Sequence, residues 1–217
     1  MVPLDLRDAI EDLNRIFHHE ADLQHALAWY LHQQYPNARL RLERRFAGEE
    51  FPGSTDDVYL DIWLELNDAT IPIELKYKTA KLSGDWEDES FNLRRHSAQD
   101  VSRYDFINDI ARIETVMDAE ECEYGIVLLL TNDHLYWQPP TRNNVVDYEF
   151  RLTNGKVLED ELSWNEDVGE GTVGKKREDP IILDGAYELD WRDYEYSIPS
   201  NSKGNDEFRY LLVEVEK

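Results

Sequence analysis

Asp61, Glu74 and Lys76 are three charged side chains set among apolar neighbours, in the segment DVYLDIWLELNDATIPIELKYK from Asp57 to Lys78. A carboxylate or an ammonium group in such surroundings is costly to bury without a partner, so this is where chemistry is to be sought. The segment reads as two strands joined by a short turn. Val58 to Leu66 carries Asp61 in its middle, and Ile71 to Tyr77 carries Glu74 and Lys76 on either side of Leu75. Neighbouring strands lie about 4.8 Å apart, near enough for the two carboxylates to share a hard divalent cation, which favours oxygen ligands and retained waters. Lys76, two residues after Glu74, points to the same face, where it can offset developing negative charge. The competing account is an ion-pair cluster on a half-exposed sheet. Ile62, Leu64, Ile73 and Leu75 would line one face, while Tyr59 and Trp63 speak for cover on the other.

The elements that must hold these residues follow from periodicity. Leu4 to Phe17 has helical spacing, and a second helix runs from about Glu20 to Gln34, stopped by Tyr35-Pro36-Asn37. Glu20 stands one turn before Leu23 and in line with Leu27, so it heads a core-facing stripe; a first-turn Glu complementing the helix dipole explains it equally well. Arg39 to Phe46 alternates as a strand does, and Glu49 to Asp56, with Pro52-Gly53-Ser54, reads as a loop. Thr79 to Arg95 reads as a long irregular connection. Ser97 is the expected N-cap of a helix reaching about Met117, with Gln99, Arg103, Phe106, Ile110, Ile113 and Met117 on one face. Tyr124 to Thr131 is an almost unbroken apolar run, as in a strand buried on both faces.

In chain order these are a helix with Glu20, a strand, a strand with Asp61, a strand with Glu74 and Lys76, a helix with Gln99, and a strand. Over roughly residues 17 to 131 this resembles the PD-(D/E)xK nuclease superfamily, the restriction-endonuclease-like fold. The family pattern is an Asp on one strand and a (D/E)-x-K on the next, matched by Asp61 and Glu74-Leu75-Lys76. Many members add a Glu from the preceding helix and a Gln or other polar group from the following one, positions matched by Glu20 and Gln99. One departure is Leu60, where the motif has Pro, a residue often missing in the family. The resemblance implies an α/β fold with a mixed central sheet flanked by helices in the order α-β-β-β-α-β. It implies a nuclease dependent on Mg²⁺ (or Mn²⁺), acting on DNA, with RNA the open alternative to DNA. Asp61, Glu74 and the Leu75 carbonyl would be metal ligands and Lys76 would assist catalysis. Glu20 would join through water or hold a second ion, and Gln99 would orient water. Lys78, Lys81 and Arg103 are the candidate nucleic-acid contacts. The alternative is a catalytically silent protein of the same fold that binds nucleic acid or a protein partner. A homodimer would suit cleavage of both strands.

Charge qualifies this. The net charge of −24 opposes nucleic-acid binding taken alone, but it is also the surface of proteins that work in molar salt, where the Debye length falls to about 3 Å; a halophilic source is expected. Ten of the 23 Lys and Arg lie between Arg39 and Arg103, bracketing the segment that holds Asp61 and Glu74. The single cysteine, Cys122, excludes an intrachain disulfide or thiolate cluster. An acidic amphipathic N-terminus and the lack of any apolar run near 18 residues point to a cytoplasmic protein.

Beyond Asn132 the chain reads as strand-rich. Asn154-Gly155 and Asp184-Gly185 each mark an expected hairpin, the first joining Tyr148–Thr153 to Lys156–Asp160, the second joining Pro180–Leu183 to Ala186–Trp191. Residues 1–135 form the expected nuclease-like core and 136–217 a β-rich extension packed on it. Gly169 to Lys175 fits GxGxxG but lacks the following helix and the Ser or Thr of a phosphate loop, and reads as a flexible loop. His18 and His25, seven residues apart, are too far separated to chelate one ion together.

Overall fold

The computed structural model describes residues 6–48, 57–86, 89–142, 144–174, 177–197 and 200–217; the expected loop at 49–56 lies outside them. The elements are α1 (Leu6–Leu13), α2 (Glu20–Gln34), β1 (Arg39–Phe46), β2 (Val58–Glu65), β3 (Thr70–Lys78), β4 (Leu82–Trp86), β5 (Glu89–Leu93), α3 (Gln99–Ala119), β6 (Tyr124–Thr131), β7 (Val157–Leu158), β8 (Glu161–Leu162), α4 (Glu170–Val173), β9 (Ile181–Ile182), β10 (Tyr187–Glu188), β11 (Trp191–Tyr194), β12 (Ser200–Gly204) and β13 (Phe208–Glu216).

A mixed six-stranded sheet, ordered β1-β2-β3-β6-β13-β11, organises the chain. Only β3 and β6 run parallel, joined across α3; the other neighbours are antiparallel. β6 is buried at every position, as its apolar run requires. One face packs on α1 and α2 through residues such as Leu23, Leu27, Ile62, Ile73, Leu75 and Leu128. The other packs on α3 and on the C-terminal segments through Trp63, Ile110, Ile113, Val127, Leu129 and Leu211. Helix α3 lies so close to β6 that a β-carbon on Gly125 would meet Ile113 Cγ2 at 2.4 Å and Met117 Sδ at 2.8 Å. β13 pairs with β6 and β11 pairs with β13, so β11 and β13 extend the sheet that the first 131 residues begin.

Several boundaries differ from the sequence expectation. α1 stops at Leu13, because Asn14 turns left-handed at φ 41°, a conformation Asn tolerates at a helix end. Tyr194 Oη accepts the Arg15 N–H at 3.1 Å and donates to the Arg15 carbonyl at 2.7 Å. Ile16 and Phe17 are therefore buried without being helical. The N-cap of α3 is Ala98 at φ 61°, with no side-chain cap, rather than Ser97. Thr79 to Arg95 is not an irregular connection: β4 and β5 form a hairpin within it, and β12 completes a separate three-stranded sheet ordered β12-β4-β5.

Neither expected local hairpin forms. β7 pairs with β10, and β8 pairs with β9. The Asn154-Gly155 turn docks instead on the strand ahead of it, with Gly155 N–H on the Leu189 carbonyl at 2.7 Å and Trp191 N–H on Asn154 Oδ1 at 2.8 Å. Turn residues fixed the turn, and long-range pairing chose the partner. A single helical turn, α4, lies within the Gly169–Lys175 stretch, whose end falls outside the described residues. No helix among the described residues is long and apolar enough to cross a membrane.

Candidate active site

Asp61 stands where the sheet opens. The β2–β3 ladder runs from Glu65↔Thr70 to Ile62↔Ile73 and ends there. The β1–β2 ladder skips the same place, passing from Leu42↔Ile62 to Arg44↔Leu60, with Glu43 at φ 52°. The main-chain groups freed on both sides are satisfied by side chains, as buried polar groups must be. Gln24 of α2 donates Nε2 to the Asp61 carbonyl at 2.8 Å and to Glu43 Oε1 at 2.7 Å. On the β3 edge, alternate N–H groups are taken in turn: Leu75 by Asp61 Oδ2 at 2.7 Å, Tyr77 by Glu20 Oε2 at 2.7 Å, and Thr79 by His96 Nδ1 at 2.8 Å. A strand residue sends its N–H and C=O to the same side, so the Leu75 carbonyl also faces the opening.

Glu74 projects towards α3. It is 2% exposed, and its carboxyl lies beside that of Asp61, near enough for each to perturb the other. Two carboxyls side by side in a dry place disfavour ionisation of both at once. Burial above all pushes Glu74 up to about 8, with the Asp61 charge adding to it and Arg112 and Lys76 opposing. Asp61 is raised as well, chiefly by burial, although the Glu74 hydroxyl, the Leu75 N–H and Lys76 all favour its anion. Burial thus favours the neutral form of Glu74 at this corner.

Lys76 and α3 close the cluster. Lys76 Nζ lies 2.6 Å from Asp109 Oδ2, and Arg112 Nε lies 3.2 Å from Glu74 Oε1 while its other nitrogen pairs with Asp109. Asp109 thus faces both Lys76 and Arg112, and Arg112 also faces Glu74. Yet Glu74 Oε1, Asp109 Oδ2 and Arg112 Nε are buried without an aligned hydrogen-bond partner, at a cost of about 1–3 kcal/mol per group. Proximity of charge, rather than hydrogen bonding, holds this corner.

The structure thus brings Asp61, Glu74 and Lys76 together and places Glu20 two residues further along the same edge of β3, 4.0 Å from Lys78 Nζ. Among the described residues no three His, Cys, Asp or Glu side chains form a ligand set, so Glu20 does not converge with the carboxyl pair. Gln99 turns elsewhere, donating to Asp133 Oδ2 at 2.8 Å and to the His96 carbonyl at 3.4 Å. Arg103 is 3% exposed and is bound to Asp147 and to the Leu135 carbonyl at 3.2 Å. It offers no free charge at the surface, because a guanidinium so buried needs its counter-ion. Lys78 is a quarter exposed and Lys81 is exposed. His18 stacks on Phe91 with ring centroids 4.3 Å apart and reaches Glu89 Oε1 at 2.8 Å, whereas His25 is exposed.

Sequence reasoning missed Gln24, His96, Asp109 and Arg112. Two signals were present. Gln24 follows Glu20 by four residues, on the same helix face. Asp109 lies three residues after Phe106 and four before Ile113, inside the buried stripe, with Arg112 three further on. No protein-family model, curated protein or solved structure matches the chain.

Proposed function

We propose that the protein is a divalent-metal-dependent nuclease of the restriction-endonuclease-like fold, hydrolysing phosphodiester bonds in DNA. The observation that carries this reading is the Asp61–Glu74 carboxyl pair at the point where β2 leaves β3, with Lys76 beside it. The residues suit a hard cation: two carboxyls lie side by side, one buried Glu74 oxygen lacks a hydrogen bond, and the Leu75 carbonyl faces the same opening. Such ions commonly bind through one or two carboxylates, the remaining ligands being waters and substrate phosphates, so a third acidic side chain is not required.

Bound between Asp61 and Glu74, a divalent ion would polarise the phosphate and lower the pKa of an attacking water. Asp61 and Glu74 would hold such an ion as carboxylates, so Glu74 would have to give up its proton on binding. Lys76 then sets its ammonium against the charge that builds on the phosphate, with Asp109 fixing the side chain's direction. Glu20 holds the Tyr77 N–H and so fixes the β3 edge beside the site.

The test is cleavage of plasmid DNA in Mg²⁺ or Mn²⁺ by the wild type, Asp61→Asn and Lys76→Ala. The wild type should cut and both variants, folded by circular dichroism, should not; unchanged cutting by both ends the proposal. A second reading is favoured by the Arg112 contact, since a fixed cation already serves Glu74: the fold would bind nucleic acid or a protein without turnover. Mn²⁺ titration separates the two, because a binder would show no site lost on Asp61→Asn.

A further inference from the structure

The three-stranded sheet β12-β4-β5 is tied to the end of β3 that leads away from the carboxyl pair. Thr79 does the tying. Its Oγ1 donates to the Arg94 carbonyl at 2.6 Å, and its carbonyl accepts the His96 N–H at 2.8 Å. Arg94 and Arg95 are thereby held beside the last residues of β3. On the other flank the Asn205 N–H reaches the Lys81 carbonyl at 3.1 Å. Gly204, at φ 120°, passes so near that a β-carbon would meet that carbonyl at 2.0 Å, and Lys203 stands opposite Ser83 of β4.

Lys81, Arg94, Arg95 and Lys203 are all exposed, and among the described residues none of them makes an ion pair, while Lys78 has only the long contact with Glu20. That is unexpected where 47 acidic residues face 23 Lys and Arg. Among the described acids of the same hairpin, Asp85 accepts the Ser90 hydroxyl at 2.7 Å and Glu89 meets His18, so neither pairs with these cations. Lys78 lies two residues, about 6.6 Å, beyond Lys76 along β3, so these cations continue the line of the candidate site outward.

We propose that this sheet, through Lys81, Arg94, Arg95 and Lys203, is the platform that binds the phosphodiester backbone of duplex nucleic acid running away from the carboxyl pair, an assignment that rests on the nuclease reading for its direction. Charge complementarity selects the occupant. A protein of this net charge repels polyanions over its whole surface, and only a local excess of unpaired cations can hold one.

The experiment is fluorescence anisotropy of a fluorescein-labelled 20-base-pair DNA duplex in EDTA, so that binding is read without turnover, from 50 to 300 mM KCl. The wild type should bind. Lys81→Ala/Arg94→Ala/Arg95→Ala should weaken binding by at least about 10-fold at the lowest salt and reduce the slope of log K against log salt by about 2 to 3, near 0.9 for each lost phosphate contact. Arg41→Ala removes an exposed, unpaired cation from the outer edge strand β1 and should change neither. No duplex binding, an unchanged triple variant, an equal loss in Arg41→Ala, or equal binding of poly-glutamate would each overturn the platform. Adding Mg²⁺ separates the two proposals. Duplex bound through these residues but never cut leaves the platform and removes the nuclease, whereas cutting with an unaffected triple variant does the reverse.

Discussion

Lys76 and Asp109 meet at 2.6 Å, one from the middle strand and one from the helix that crosses between the two parallel strands. Asp109 is 2% exposed and also pairs with Arg112, so it is the counter-ion of two cations at once. Replacing it with Ala leaves both charges poorly compensated in a buried place, which costs about 3–5 kcal/mol. Urea denaturation of Asp109→Ala at pH 7 should show a loss of that size. A loss under about 1 kcal/mol would mean that the corner is wetter than the packing indicates.

Cys122 lies between the end of α3 and β6, 3% exposed, with Sγ directed to the Glu120 carbonyl at 3.8 Å. Burial first, and the Glu120 carboxylate second, push the thiol up to about 11. At pH 8 only about one thiol in 10³ is then thiolate, against roughly one in four for a free cysteine, and the thiolate is the reactive form. Alkylation by iodoacetamide at pH 8 should run at least about 100-fold slower in the folded protein than in urea. Equal rates would show that this end of the helix opens readily.

The order of the main elements was legible because it rests on periodicity. The apolar run of β6, the alternation of β1 and the stripe of α2 each have a single comfortable solution, and the boundaries of all three agree. What escaped depended on partners far along the chain. Asn154-Gly155 specifies a turn but cannot say that Leu189 and Trp191, rather than its own flanks, will receive it. Asn14 ends α1 although Ile16 and Phe17 keep the apolar spacing, because Tyr194 supplies the hydrogen bonds that the helix gives up. Within the site, Asp61, Glu74 and Lys76 were readable as charges stranded on apolar strands. Asp109 was hidden by the opposite situation, a charge inside a helical stripe that reads as ordinary variation until β3 is packed against it.

The charge of −24 makes a separate demand. Self-repulsion of this size opposes the compact state and is screened over about 8 Å at 0.15 M salt but only about 3 Å at 1 M. Thermal unfolding followed in KCl from 0.1 to 2 M should therefore show Tm rising. A gain of about 2 kcal/mol corresponds to roughly 4–8 °C for a chain of this length. Potassium chloride is the proper salt for the measurement, since sulfate would strengthen apolar burial as well. A flat or falling Tm would place the acidic groups in compensating pairs instead.

Glu74 gives the pH dependence its sign. Its carboxyl ionises near 4.5 in the unfolded chain and near 8 in the folded one. Between those values the native state holds a proton that the unfolded state has released, so stability must fall as pH rises. The contribution is fully present below about 4.5 and is lost on passing through about 8; Asp61, also raised, acts in the same direction. Glu74→Gln keeps the shape and removes the titration. In EDTA, the wild type should lose more stability than Glu74→Gln between pH 5 and pH 8.5 by urea denaturation, the difference between the two isolating this carboxyl from the other acids. If the proposed metal site is present, Mn²⁺ should reverse the trend in the wild type alone, since a ligand that binds only the native state stabilises it and this one would compete with the Glu74 proton. Identical pH profiles for the two proteins would mean that Glu74 is ionised in the folded state, held by Arg112, and carries no proton for a metal to displace.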